Sequence, residues 1–250
     1  MHYELPHVKA DASVEAVLNS FFVAYESISK CDESIIIDNH KSENPLLCFL
    51  LSLLEWKCNT LTIRGSSDAA FNVVELNSIS DALKRIENTQ WAKSMVYLHY
   101  LTDEMVCNIQ QHSCSKHSCG YVKCNNELNV VDVCFADDGI SIHGSYVEKD
   151  LYLEKLIEGD ASAISLAKNG YSTKDRPLAE NRGFGISTNL KIVTDVLGGT
   201  FSIYSGKALY IKDKQSVKMI DLPYDVEWNG TIVIARVPLP PIDFNMYNYI

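Results

Sequence analysis

Glu104, Asn108 and His112 stand four residues apart in the stretch Glu-Met-Val-Cys-Asn-Ile-Gln-Gln-His. In a helix that spacing projects all three from one face. The set combines a carboxylate, a carboxamide and an imidazole. Magnesium takes hard oxygen ligands and keeps several waters, so the neutral Asn108 oxygen can hold it without opposing the charge of a triphosphate. Glu104, one turn earlier, has the chemistry to orient and deprotonate a water or hydroxyl. His112 can reach phosphates or a lid, and can equally satisfy the helix C-terminus, where an imidazolium is favoured. Taken alone, the triple also reads as an ordinary polar helix face.

Three further motifs follow in order. An apolar run ending Val133-Cys134-Phe135-Ala136 delivers Asp137 at the end of a strand, with Gly139 allowing the chain to turn before Ser141. A half-buried carboxylate there can accept a hydrogen bond from an exocyclic amine, which adenine has and guanine lacks at the same position. An Asp-Gly turn is the plain alternative. Next, Arg182-Gly183-Phe184-Gly185-Ile186 opens a helical pattern. Glycines let backbone approach an oxyanion, and a helix start presents free amides and partial positive charge. Before it, residues 170–182 read as a polar, mobile loop suited to cover phosphates. From Lys168 to Lys191, the basic Lys168, Lys174, Arg176, Arg182 and Lys191 oppose only Asp175 and Glu180, a local surplus of positive charge that would attract a polyphosphate. A solvated lysine-rich loop is the alternative. Finally, Gly230-Thr231 begins a terminal strand whose hydroxyl could touch a phosphate.

The elements that must position these groups are legible in the pattern of apolar residues. Residues 12–30 carry an amphipathic helix stripe, residues 34–38 a β-branched strand, and Asn44-Pro45 caps an apolar helix running to Trp56. A second strand at 60–64 completes a βαβ unit whose strands should be parallel. A short helix is expected at 79–86, and a domain boundary near residue 90. Beyond it, the pattern predicts a helix at 100–113, a hairpin of 119–123 and 130–136 around Asn125-Asn126, and a helix over 146–169 interrupted near Gly159. It predicts a further helix at 185–197 stopped by Gly198-Gly199, and strands at 200–205, 208–211, 216–220 and 230–237. The aromatic tail 243–250 follows.

Composition bounds the reading. The chain has 250 residues, 46% hydrophobic and 22% charged, with a net charge of −10. That balance belongs to a globular protein of one large or two modest domains, and it argues against a nonspecific nucleic-acid binder. The apolar run Pro45–Trp56 falls short of the about 20 residues needed to cross a bilayer. Met1–Pro6 shows no basic region leading into an apolar core, so a cytoplasmic location with reduced thiols is the expectation. His112, Cys114, His117, Cys119 and Cys124 invite a zinc reading. Their gaps are loose for a zinc site, and in a strand Cys119 and Cys124 would face opposite ways.

Together, Glu104/Asn108/His112, Asp137-x-Gly139, Arg182-Gly183-Phe184-Gly185 and Gly230-Thr231 resemble the asparagine box and successive glycine boxes of the GHKL superfamily. These are the Bergerat-fold ATP-binding domains of histidine kinases, gyrase, the large heat-shock chaperones, MutL and the anti-sigma-factor kinases. The resemblance spans residues 95–240 or so. It implies an α+β sandwich, a mixed sheet under helices, over residues 91–242. It further implies ATP and magnesium as ligands: Asp137 on adenine, Asn108 on the ion, and Glu104 as catalytic base. Gly139, Ser141, Phe184, Ile186 and Thr231 would line the nucleotide, and Lys174, Arg182, Gly183 and Gly185 its phosphates. Ser141 replaces the second glycine of the first glycine box. Neither the phosphoacceptor hairpin of sensor kinases nor a transducer domain is visible. The expectation is therefore a regulatory protein that binds Mg-ATP, with slow hydrolysis or phosphotransfer to a protein partner; an ATP-gated interaction module without turnover and an anti-sigma-type serine kinase are the alternatives. Residues 1–90 resemble a STAS-like domain in their order of strand, apolar helix and strand, and an accessory α/β layer has the same pattern.

Overall fold

The computed structural model describes residues 2–3, 7–31, 35–38, 43–58, 61–64, 73–87, 91, 94–173, 184–240 and 244–249. The chain divides into two compact units, Met1–Val73 with Pro223–Val226, and Val74–Leu222 with Glu227–Ile250.

In the first unit, strands β1 (His2–Tyr3), β2 (Ile35–Asp38) and β3 (Leu61–Arg64) form a parallel sheet in that order. Helix α1 (Val14–Ser29) starts where the Ser13 hydroxyl accepts from Ala16 N at 3.2 Å. Its stripe of Val14, Val17, Leu18, Phe21, Ala24, Tyr25 and Ile28 is buried at the three- and four-residue spacing the sequence shows. Helix α2 (Pro45–Leu53) is capped by Asn44, which accepts from Leu47 N at 3.0 Å and donates to Lys9 O at 2.8 Å. Pro45 fills the first turn, where an N–H would have no helical partner. The strands joined across α2 are parallel, as the βαβ spacing requires.

The second unit is an α+β sandwich. Its strands are β4 (Val73–Glu75), β5 (Ser118–Asn125), β6 (Val130–Asp137), β7 (Thr200–Gly206), β8 (Ala208–Lys212), β9 (Val217–Asp221) and β10 (Trp228–Pro238). Among the described residues they make a sheet ordered β4-β5-β6-β10-β7-β8-β9. Every pair from β5 across to β9 is antiparallel, so these six strands lack the mixed character that the resemblance implied. One face of the sheet packs under helices α3 (Ile79–Glu87), α4 (Met95–His112), α6 (Asp160–Lys168) and α7 (Phe184–Leu190). Alternate strand residues Val131, Val133, Phe135, Phe201, Ile203, Val233, Ala235 and Val237 supply that core. Fully burying side chains such as Leu98 and Leu101 of α4 contributes roughly 1.5–3 kcal/mol each. No helix among the described residues is long and apolar enough to cross a membrane.

Several boundaries differ from expectation. The units divide at Val73–Val74 rather than near residue 90, because Ile79, Ala82 and Leu83 of α3 share the core of α4. Helix α4 begins five residues early, at Met95, since Met95, Leu98 and Leu101 extend its buried stripe. The helix expected over 146–169 is interrupted near Gly159 as the pattern predicts, α6 starting at Asp160, but the break is wider: α5 (Ile142–Glu148) ends early and a 3-10 turn at Leu153–Lys155 lies between the two. Asp150 and Tyr152 adopt left-handed φ of 54° and 56°, which a continuous right-handed helix does not tolerate. Helix α7 passes into π-helical turns over Lys191–Val196, and Gly198 follows at φ 73° as a left-handed cap. The tail docks: Met246 is buried, and Phe244 meets Tyr97 edge-on.

Candidate functional site

Strand parity builds the floor of the site. Val131, Val133 and Phe135 of β6 face the helices, so Asp137, two residues on, faces them too. On β10 the same argument aligns Thr231 with Val233 and Ala235. Register pairs Ile232 with Ala136 and Thr231 with Ser205, bringing Asp137, Thr231 and Ser205 side by side on three neighbouring strands. Gly230 makes this possible. A Cβ there would collide with the Asp137 carbonyl oxygen and lie 2.6 Å from Asp137 Oδ1.

Helix α4 builds the wall. Its Leu98, Leu101 and Met105 stripe turns inward, which leaves Glu104, Asn108 and His112 on the adjoining stripe. Gly185 of α7 stands directly opposite. A Cβ on it would collide with Glu104 Oε2 and lie 3.7 Å from Asn108 Nδ2. The third side comes from α5 and the segment after α6. There the Thr173 hydroxyl lies 3.0 Å from His112 Nδ1 and 3.1 Å from Ser145 Oγ, and Tyr146 OH donates to Tyr171 O at 2.7 Å.

These three sides enclose a cavity of about 290 Å³, lined among others by Glu104, Asn108, His112, Asp137, Gly185 and Thr231. Its volume lies at the lower end of the roughly 300–1,000 Å³ usual for ligand pockets. Phe135, Ile140, Ile142 and Val233 give it apolar surface beside the Asp137 carboxyl.

Two adjacent carboxyls meet opposite fates. Asp137 is 2% exposed. Burial pushes its pKa up to about 7, against hydrogen bonds from the Gly139 and Thr231 amides that favour the charged form. Asp138, one residue on, points away from the cavity. Burial also pushes its carboxyl up, but that is outweighed by hydrogen bonds from His117 N (2.7 Å), the His117 ring and Lys116 N (2.9 Å), which hold it below the usual range.

Of the residues singled out from sequence, Glu104, Asn108, His112, Asp137, Ser141, Gly185, Ile186 and Thr231 meet at the one cavity. Gly139 does not line it. A Cβ there would collide with Ser113 O, and Ile140 N donates to that same oxygen at 2.6 Å, so this glycine lets the turn press against the end of α4. Ser141 caps α5 by accepting from Gly144 N at 3.1 Å, in an extended conformation (φ −65°) that needs no glycine. Thr231 lies beside Asp137, to which its amide donates, and its hydroxyl meets Ser205 at 3.0 Å. Lys174, Arg182 and Gly183 lie outside the described residues; for Phe184 the structure describes the backbone, as the first residue of α7.

Sequence reasoning missed Ser205, Ser145, Thr173, Tyr146 and Tyr171. Ser205 was recoverable from parity, since it alternates with the apolar Phe201 and Ile203 on the buried face of β7. Among the described residues no group of three or more His, Cys, Asp or Glu side chains could hold a metal. Cys119 is buried and Cys124 half-buried on opposite faces of β5, with burial pushing their thiols up to about 12 and about 11. The Asn108 carboxamide on the cavity wall matches what magnesium asks of a protein when phosphates and water complete its shell. No protein-family model matches the chain, and no curated protein matches its sequence.

Proposed function

We propose that this cavity binds Mg-ATP and that the protein is a regulatory member of the histidine-kinase-like, Bergerat-fold ATPases. It would hydrolyse ATP slowly or pass the phosphoryl group to a protein partner. One observation carries the reading: a carboxylate, a carboxamide and an imidazole on α4 share a cavity with a buried acid and with the glycine that opens α7. In this arrangement Asp137 accepts from the adenine amine and Thr231 stands beside it. The base lies against Phe135, Ile140, Ile142 and Val233. Phosphates extend toward the start of α7, where free amides favour anions. Asn108 would hold magnesium, which when bound neutralises phosphate charge. Glu104, one turn away and facing Gly185, is placed to orient and deprotonate the attacking water or hydroxyl.

Titrating ATP and GTP, each with and without magnesium, into the wild type and Asp137→Asn tests base, ion and pocket together. Saturable binding of ATP, weakened by omitting magnesium and by Asp137→Asn, is expected, with GTP at least tenfold weaker. Equal binding of the two nucleotides, or none, overturns the reading.

A second reading is favoured by the bond between Thr173 and His112, which ties the chain just before residues 174–183 to the wall of the cavity. A ligand that alters this tie would change the surface offered to a partner without turnover. Hydrogen exchange at 168–186 with a nonhydrolysable ATP analogue, alongside a phosphate-release assay, separates the two. Protection without product favours gating; product whose formation Glu104→Gln abolishes favours phosphoryl transfer.

A further inference from the structure

The Asp137 end of the cavity contains a hydroxyl network whose proton directions can be worked out. Ser205 is 1% exposed, and a serine hydroxyl offers one proton and two lone pairs. Ile142 N donates to Ser205 Oγ at 2.9 Å, using one lone pair. Ser205 Oγ lies 3.1 Å from Gly230 O, a carbonyl that can only accept, and 3.0 Å from Thr231 Oγ1, which can do either. If the Ser205 proton goes to Gly230 O, its second lone pair takes the proton of Thr231, and all three contacts are made. If the proton goes to Thr231 instead, the contact to the Gly230 carbonyl is lost, and buried polar groups left unpaired are disfavoured. The first arrangement therefore prevails. Thr231 spends its proton on Ser205 and keeps only lone pairs for anything in the cavity.

Asp137 adds a second acceptor on the neighbouring strand. Its Oδ1 already accepts from Gly139 N at 3.0 Å, and above the pKa of about 7 the ionised carboxylate has no proton to give. One end of the cavity thus presents two acceptors, held by backbone and by a buried serine. A single nitrogen carrying two N–H bonds satisfies both. A carbonyl oxygen in the same place meets lone pairs only.

We infer that Ser205 is a positioning and specificity-determining residue: it orients the Thr231 hydroxyl as a pure acceptor, so that this end of the cavity selects a ligand edge bearing an exocyclic amine over one bearing a carbonyl. The inference rests on the nucleotide reading above and deepens it. Ser205 touches no ligand itself and acts through Thr231.

Inosine triphosphate, which carries an oxygen where ATP carries the amine, is the matched probe. Dissociation constants for both, with magnesium, are measured at about pH 8, where Asp137 is ionised, on wild type, Ser205→Ala, Thr231→Val and Thr231→Ser. The wild type should prefer ATP by roughly 10–100-fold, the range that an unpaired polar contact produces. Ser205→Ala frees the Thr231 proton to turn toward a carbonyl, and should compress that preference about tenfold; Thr231→Val should compress it also, and Thr231→Ser should keep it. If Ser205→Ala does not fold, Ser205→Cys, of similar shape but weak in hydrogen bonding, is read the same way. A Ser205 variant that weakens both nucleotides equally shows a merely structural serine and overturns the inference while nucleotide binding stands. So does a wild type that binds both nucleotides alike. A wild type that binds neither removes the nucleotide reading and this inference with it.

Discussion

On the strand side of the cavity, polar groups are held by backbone and by buried hydroxyls. Asp137 takes the amides of Gly139 and Thr231, and Thr231 meets a Ser205 that is itself bound to Ile142 and Gly230. On the helical side, Glu104 and Asn108 reach Gly185 on their own flexible torsions, from a helix whose packing is set by the neighbouring stripe. The floor is held rigid and the wall is free to adjust. Rigid acceptors lose little freedom when a ligand arrives. On the proposed function, a carboxylate and carboxamide that handle phosphate or water would have to follow groups whose geometry changes during reaction.

Two glycines offer the sharpest break of that comparison, one on each side. Gly230→Ala drives a methyl into the Asp137 carbonyl and carboxylate, neither of which can retreat. A loss of about 3 kcal/mol or more is expected, read as a shift in the urea midpoint. Gly185→Ala meets the far end of the Glu104 side chain, which can swing away. Its stability cost should stay within about 1 kcal/mol while nucleotide turnover falls. Equal destabilisation by the two would erase the distinction.

The pH dependence of stability sharpens it next. Asp137 has a folded pKa raised to about 7, against an unfolded value near 3.9. A raised value means the fold binds the proton more tightly. The contribution is then complete below pH about 4, and is lost as pH rises toward about 7. Wild type should therefore lose about 2 kcal/mol relative to Asp137→Asn between pH 5 and 7; parallel profiles would contradict the burial argument. Wild type and Asp138→Asn should instead run parallel between pH 5 and 7, wild type losing stability relative to the variant only as pH falls below about 4, because this carboxyl is held below the usual range. Thr173→Val cuts the hydroxyl link between His112 and Ser145 and should cost about 1 kcal/mol. Smallest of all, Glu104→Gln should leave stability within about 0.5 kcal/mol and abolish any ATP turnover, measured by phosphate release.

The helical wall was the more legible side. Four-residue spacing in 104–112 is a local signal, and local signals survive folding. So did the stripe of α1 and the cap at Asn44. The floor depends on partners far apart in sequence: Ser205 gains its role only when β7 lies beside β10, a pairing no short window displays. Gly139 was legible as a special position, yet its reason is contact with Ser113, 26 residues away. The break before α6 was legible at Gly159, whose φ of 58° precedes the first helical residue, Asp160; its earlier start was hidden because Asp150 and Tyr152, which are not glycines, take left-handed conformations. Helix α4 was read short because Met95-Val96-Tyr97-Leu98 has the composition of a strand as much as of a helix.

The bond from Ile140 N to Ser113 O, with the Asp138 carboxylate clasping Lys116 N and His117 N, fastens the last turn of α4 to the end of β6. The other end of the helix is held as well, by Met95, Leu98 and Leu101 in the core. A rod seated at both ends keeps Glu104, Asn108 and His112 at a fixed spacing along the cavity. What can adapt there is then the torsion of each side chain and not the position of the helix.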